Sequence, residues 1–187
     1  MAKIDIKLIE VYGIASALRA LRLPHGLANR SYDEFNLDMD LLCDQGVVEI
    51  CTDSYVNMDM KDLELMQKLI LSGDEHAKVI RGIGVGVEIT APIWFYRELE
   101  TYRIGRERLS SESTMHIECK NFSGEELEAE KDKIPMGHTQ KTVDTISYQT
   151  LRRIYFQRRN HRLPMWHTFC EWIENLPLAK ELIICSK

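Results

Sequence analysis

The chain opens on an alternation, with Ile4, Ile6 and Leu8 interleaved with Asp5, Lys7 and Glu10 across 3–11. A period of two predicts a half-buried strand. Gly13 interrupts it, and 14–23 reads as a short helix with Leu18 and Leu21 on a different face from Arg19 and Arg22, stopped by Pro24 and Gly26. Residues 29–44 read as a loop with a short helical turn, and 47–50 as a strand. The next helix is predicted over 60–72, capped by Asp59 and closed by Gly73, with Leu63, Met66, Leu69 and Ile70 on one face. A second short helix follows from Asp74. Gly82, Gly84 and Gly86 then lead into a strand over 85–90. This GxGxG precedes a strand instead of following one and opening a helix, so it is a bent strand start and not a dinucleotide fingerprint.

Pro92 suits the first turn of another helix, which bends at Ile104-Gly105-Arg106 and runs out into a polar stretch ending at His116. Residues 125–133 predict an acidic, solvated helix with Ser123 as its cap, and 134–137 a connector. A long helix is predicted from near Asp144 to Arg159, with Leu151, Ile154, Tyr155 and Arg158 along one stripe. After the break at Leu163-Pro164 comes an amphipathic helix over 165–175, with Trp166, Phe169 and Ile173 inward. Strands and helices mix without strict alternation, which predicts an α+β fold in one domain, 1–187.

Composition removes several function classes. With 44% apolar and 28% charged residues, the chain is an ordinary globular one. Its net charge of −5 argues against a general nucleic-acid or membrane-surface binder. Cys43, Cys51, Cys119, Cys170 and Cys185 have neither zinc nor redox spacing and read as reduced thiols, which predicts a cytoplasmic protein. The opening MAKIDIKLIEVYG is charged within its apolar run and is no signal peptide; no run approaches the ~20 residues of a membrane span.

Candidate chemistry concentrates in two places. Residues 92–116 hold guanidinium, carboxylate and hydroxyl groups at a density suited to a phosphate and a polar ring, although a solvated helix and loop would carry the same charges. Later, Arg152, Arg153, Arg158, Arg159, His161 and Arg162 fall within eleven residues. Arg158 shares the apolar stripe, where it needs a carboxylate or a bound phosphate as partner. The histidines lack HxxH or HExxH spacing, so no metal site is expected. Cys170 follows His167 by three residues and reads as a buried structural thiol.

Together these stretches resemble the flavin-dependent thymidylate synthases, the ThyX family, whose hallmark is RHRxxSxNExSxR at the end of a helix that follows a strand and a Pro. Thr101-Tyr102-Arg103 falls on the RHR triplet. After a short insertion, Ser111-Glu112-Ser113-Thr114-Met115-His116 falls on NExSxR. Leu151-Arg-Arg-Ile-Tyr-Phe-Gln-Arg158, followed by Trp166, is similar to the family's LRxFFxLR helix and the AQWEI after it. Helix spacing assigns the family's nucleotide-contacting arginine to Arg158; counting back from Trp166 assigns it to Arg159. The altered motif is most similar to ThyX-like proteins of phages and prophages of Gram-positive bacteria.

The resemblance implies a ThyX-like fold, a central and mostly antiparallel sheet flanked by helices. It implies a nucleotide monophosphate as ligand, with Arg103, Glu112, Ser113, Thr114, Arg158 and Arg159 as its contacts, and a homotetramer whose sites are shared between subunits. Arg103 with Arg158 or Arg159 would clamp the phosphate, with Ser113 and Thr114 adding hydroxyls. FAD is the implied cofactor, with Thr101, Tyr102, Arg106 and His116 at or near its positions. Yet Thr101 and His116 replace arginines, and each lost charge-assisted bond removes about 1.5–3 kcal/mol, so weak or absent flavin binding is expected. Two functions follow from the resemblance: flavin-dependent methylation of dUMP to dTMP, or an inactive relative that binds or sequesters a nucleotide or nucleotide-derived signal. A third, a structural or interaction protein, would have the arginines pair with the acidic 125–132 segment.

Overall fold

Asp5–Tyr12 (β1), Gly84–Pro92 (β2), Arg106–Ser111 (β3) and Thr139–Ser147 (β4) form one antiparallel sheet in the order β1-β2-β4-β3. This computed structural model describes residues 3–26 and 60–186. The expected loop at 29–44, strand at 47–50 and cap at Asp59 lie outside them. Among the described residues the α-helices are Ile14–Arg22 (α1), Met60–Leu71 (α2), Ile93–Leu99 (α3), Gly124–Asp132 (α4), Tyr148–Arg158 (α5) and Pro164–Glu174 (α6). The fold is α+β, as the pattern predicts.

The apolar face of the sheet follows from strand periodicity. Leu8 and Val11 of β1 stand beside Val87 and Val85 of β2, and all four are buried. Trp166, Phe169 and Ile173 of α6 are fully buried, as their helical spacing predicts, and Phe95 of α3 meets Trp166 at 4.7 Å between ring centroids. Arg22 at the end of α1 is ion-paired with Asp62 in the first turn of α2, tying those helices together.

Two strands depart from the sequence reading. The long helix does not begin near Asp144: 139–147 is β4, and α5 starts at Tyr148, where Ser147 Oγ accepts from the Thr150 N–H at 3.3 Å. Its inward residues are Thr142, Asp144 and Ile146, two of them polar, so alternation of apolar residues gave no signal. The polar run after Gly105 is likewise an edge strand, β3, pairing Arg106 with Ile146 and Arg108 with Asp144. Its one buried side chain is that of Arg106 and its other five residues are exposed, so it reads as loop on any hydrophobic pattern.

Smaller differences have local causes. The short helix after Asp74 is one 3-10 segment, Ala77–Arg81. Gly84 and Gly86 lie within β2, where an added Cβ would come within 2.9 Å of the Tyr12 ring and of Glu10 Cγ, so side chains of β1 cross the space these glycines leave. Ser123 precedes α4 without a side-chain cap bond.

Candidate functional site

The motif segment is built as a helix, a turn and an edge strand. α3 ends in a 3-10 turn, Glu100–Tyr102, Gly105 turns the chain at φ +79°, and β3 follows. A Cβ at Gly105 would lie 2.7 Å from Ser147 Oγ, so this turn is pressed against the start of α5. Thr150 Oγ1 donates to the Ile104 carbonyl at 2.7 Å from the same place. The sequence thus brings the two motif regions together through the N-terminus of the arginine helix.

At the other end of α5, Arg158 meets the motif helix. Its Nε donates to Tyr102 Oη at 2.7 Å and its Nη1 to Glu98 Oε2 at 3.2 Å, while His161 Nε2 lies 2.9 Å from Nη1. The guanidinium lies over the Trp166 ring, 4.6 Å from the centroid, and the Trp166 Nε1–H donates to Glu98 Oε2 at 2.8 Å. The apolar stripe therefore carries its arginine to a carboxylate, one of the two partners its burial demands. Arg159 is exposed and lies over Phe156, 5.0 Å from the ring centroid. Helix spacing and ring contacts put only Arg158 against the motif helix.

A second polar cluster sits between α3 and the sheet. Asp144 is fully buried; Arg106 Nη2 donates to it at 3.0 Å and Thr142 Oγ1 at 2.7 Å. Glu100 bridges Arg106 at 3.2 Å and Arg108 at 2.7 Å. Arg108 also lies over the Tyr96 ring. Sequence reading marked Arg106 as a cofactor contact and placed Asp144 only at the start of a helix; the β-branched run Thr142-Val143 and Thr145-Ile146 on either side of it was the available signal for a strand.

The other sequence candidates scatter. Arg103 is exposed at the end of the 3-10 turn, with no side-chain partner among the described residues. Thr101 Oγ1 donates to the Glu98 carbonyl at 2.8 Å. Glu112 folds back, its Oε2 accepting from the Lys141 N–H at 2.8 Å. Ser113 and Thr114 are half-buried, and His116 is exposed, in the turn after β3. Arg103 lies just before β3 and Ser113 just after it, so about 20 Å of strand separates them at about 3.3 Å per residue. Within one chain the expected phosphate clamp is thus divided between two ends of β3. None of the arginines of α5 pairs with α4, whose ion pair is Lys133 with Glu130.

The flavin positions fit that cofactor poorly. Tyr102 and Arg106 are buried and hydrogen-bonded internally, and Thr101 is turned to its own helix. His116 is the one of the four that is exposed without a side-chain partner among the described residues. No three His, Cys, Asp or Glu side chains among the described residues are placed to hold a metal, and no described helix is long and apolar enough to cross a membrane.

Cys170 is buried, and burial pushes its thiol up from 9.0 to about 11. The folded chain keeps this proton in a window, from about pH 9 to about 11, where the unfolded chain has lost it. Stability should therefore fall as pH rises through that window. Urea midpoints measured across it should drop less in Cys170→Ala than in the parent; equal drops would place the alkaline loss elsewhere, Tyr148 being next because burial raises its pKa too.

No protein-family model and no curated protein matches this sequence. Solved structures do. The flavin-dependent thymidylate synthase ThyX of Helicobacter pylori, complexed with FAD and dUMP, superposes at a TM-score of 0.67 with 14% identity, over 98% of this chain and 100% of that one. A second structure of the H. pylori enzyme with FAD and dUMP gives 0.66 at 13% identity. The UMP/dUMP methylase PolB of Streptomyces cacaoi, bound with 5-Br dUMP, gives 0.66 at 12% identity over 97% of this chain and 94% of that one. The chain has the ThyX fold.

Proposed function

We propose that this protein binds a pyrimidine nucleoside monophosphate at a site shared between copies of the chain, in a homotetramer. One observation carries the reading. The chain spans nearly the whole of two kinds of protein solved with dUMP or its 5-bromo analogue, and holds Arg158 where the motif helix meets α6. The separation of the phosphate-seeking groups within one chain supports sharing between copies. A phosphate wants guanidinium and hydroxyl donors around it. Arg103 supplies the first at one end of β3, and Ser113 and Thr114 supply the second at the other. A second copy laid against the first brings the two sets together, with Arg159 as a further exposed cation.

Binding is better supported than methyl transfer. FAD would supply the redox chemistry of methylation in proteins of this fold, but three of the four residues here that would hold it, Thr101, Tyr102 and Arg106, are engaged internally. The protein's own groups bind and orient the nucleotide; no proton acceptor for the reaction stands out among them.

Titration calorimetry with dUMP, together with light scattering at the same concentration, tests this reading. Micromolar dUMP affinity in a particle of about four chains is expected, with Arg103→Ala weakening dUMP by about 1.5–3 kcal/mol. Flavin absorbance in the purified protein should be well below one per chain. A particle with the 21.8 kDa mass of a single chain that ignores dUMP would end it.

A further inference from the structure

The turn that carries Ser113 and Thr114 is held by a side chain from beyond α4. The Ser113 carbonyl accepts from the His116 and Ile117 N–H groups at 3.1 and 3.0 Å, and the Thr114 carbonyl from Glu118 and Cys119 at 3.1 and 2.9 Å. The entry to this helical turn is pinned to β4: the Glu112 N–H donates to the Lys141 carbonyl at 2.9 Å, and Glu112 Oε2 accepts from the Lys141 N–H. At its exit Cys119 is buried, and Glu118 Oε1 lies 3.0 Å from His138 Nε2. Between Glu118 and His138 the chain runs out through α4, a helix with no buried residue. The pair closes the base of that excursion, with 25% of the His138 side chain and 33% of the Glu118 side chain exposed.

His138 is itself fixed through its main chain. Its N–H donates to the Pro135 carbonyl at 2.8 Å, and its carbonyl accepts from the Ile93 N–H at 2.9 Å. The Met136 carbonyl accepts from the Trp94 N–H at 3.1 Å, so residues 136–138 satisfy two N–H groups at the start of α3 that have no partner within their own helix. One short segment thus seats the motif helix through its backbone and the Ser113–Thr114 turn through a side chain. An imidazole Nε2–H donates to a carboxylate whether the ring is neutral or protonated, so the link does not require a charge on His138. We propose that His138 is a positioning residue for the nucleotide phosphate: through Glu118 it holds the turn so that the Ser113 and Thr114 hydroxyls are ordered before the phosphate arrives. A hydroxyl already in place binds more tightly than one that must be immobilised on binding. This inference rests on the nucleotide-binding reading above and adds to it two residues, Glu118 and His138, that touch no ligand.

The test compares dUMP with deoxyuridine by titration calorimetry on the full-length protein. His138→Ala and Glu118→Ala should each weaken dUMP about three- to fivefold, the scale of a partly exposed ion pair, and deoxyuridine by less than about twofold. The backbone bonds of residue 138 survive the substitution, so α3 keeps its seat and a loss confined to dUMP reports on the turn. The exchanged pair, Glu118→His with His138→Glu, should return dUMP affinity to within about twofold of the parent. In a Ser113→Ala, Thr114→Ala background, His138→Ala should change dUMP affinity by less than about twofold, since no hydroxyl is left to position. Hydrogen exchange reads the same link without ligand: the amides of Ile117, Glu118 and Cys119 should exchange faster in His138→Ala than in the parent. If His138→Ala weakens dUMP and deoxyuridine alike, weakens neither, or leaves exchange at 117–119 unchanged, the proposal is overturned and nucleotide binding stands. A parent that binds neither deoxyuridine nor dUMP overturns both.

Discussion

Asp144→Ala should cost about 3–5 kcal/mol of folding stability. The carboxylate is fully buried, and the Arg106 side chain that it pairs with is 2% exposed. Removing the acid leaves a guanidinium in the interior with Glu100 as its remaining carboxylate partner, at 3.2 Å from Nη1. Arg106 already carries one unsatisfied buried atom, Nε, and losing Asp144 would strand Nη2 as well. For a chain of this length the melting temperature should drop on the order of 10 °C, at about 2–4 °C per kcal/mol. The pair is a costly element even when intact, since two charges have been taken out of water to make it. The double variant Arg106→Met, Asp144→Leu should therefore recover most of the stability that Asp144→Ala loses, because no charge is then stranded. Thermal melts of the three proteins decide the matter. A double variant as unstable as the single one would mean that Arg106 and Asp144 do not act as a pair. A single variant within about 1 kcal/mol of the parent would mean that the cluster takes up water when opened.

This cluster also explains which parts of the fold could be read from the sequence. β1 was legible because Ile4, Ile6 and Leu8 are apolar at the inward positions, and α6 because Trp166, Phe169 and Ile173 recur at helical spacing. β3 and β4 were not, because the interior they face is polar: Arg106 on one strand, Thr142 and Asp144 on the other. A hydrophobic pattern cannot register a strand whose buried side chains are charged and paired with each other. The Gly105 bend was legible from local chemistry, since a glycine between two polar runs marks a turn. For the site, the burial of Arg158 required an anionic partner, but nothing in the spacing of 98 and 158 could say that Glu98 was that partner. The pairing depends on where α3 and α5 cross, which is a tertiary fact. The density of arginines in the motif overstated its ligand contacts for the same reason. Arg106 is spent inside the fold and Arg108 is ion-paired with Glu100 at the surface, whereas Arg103, one turn earlier, is exposed without a side-chain partner among the described residues.

Gly13→Ala should be the other damaging change, at about 2–5 kcal/mol, the sum of left-handed backbone strain and overpacking. Gly13 has φ +83° and caps the start of α1, its carbonyl accepting from the Ala17 N–H at 2.9 Å. A Cβ there would run into the carbonyl group of Gly82, coming within 3.0 Å of its carbon, and that neighbour is backbone and not a side chain that could swing away. Gly26 separates the two costs. It too has a positive φ, +69°, but an added Cβ would meet nothing within 4 Å, so Gly26→Ala should lose only the backbone term, about 1–2 kcal/mol. The damage at Gly13 should also reach the proposed nucleotide site. Gly82 is followed by Ile83, whose carbonyl accepts from the Tyr148 N–H at 2.9 Å and so helps seat the N-terminus of α5, the helix that carries Arg158. Pushing Gly82 aside should shift α5 against the motif helix and loosen the pairing of Arg158 with Glu98. In urea titrations Gly13→Ala should unfold well before Gly26→Ala, and at temperatures where both are folded its dUMP affinity should be the lower of the two. Equal midpoints for the two variants would show that the turn between β1 and α1 relaxes without disturbing β2. A lowered midpoint with dUMP affinity intact would show instead that α5 keeps its seat through its contacts with α6.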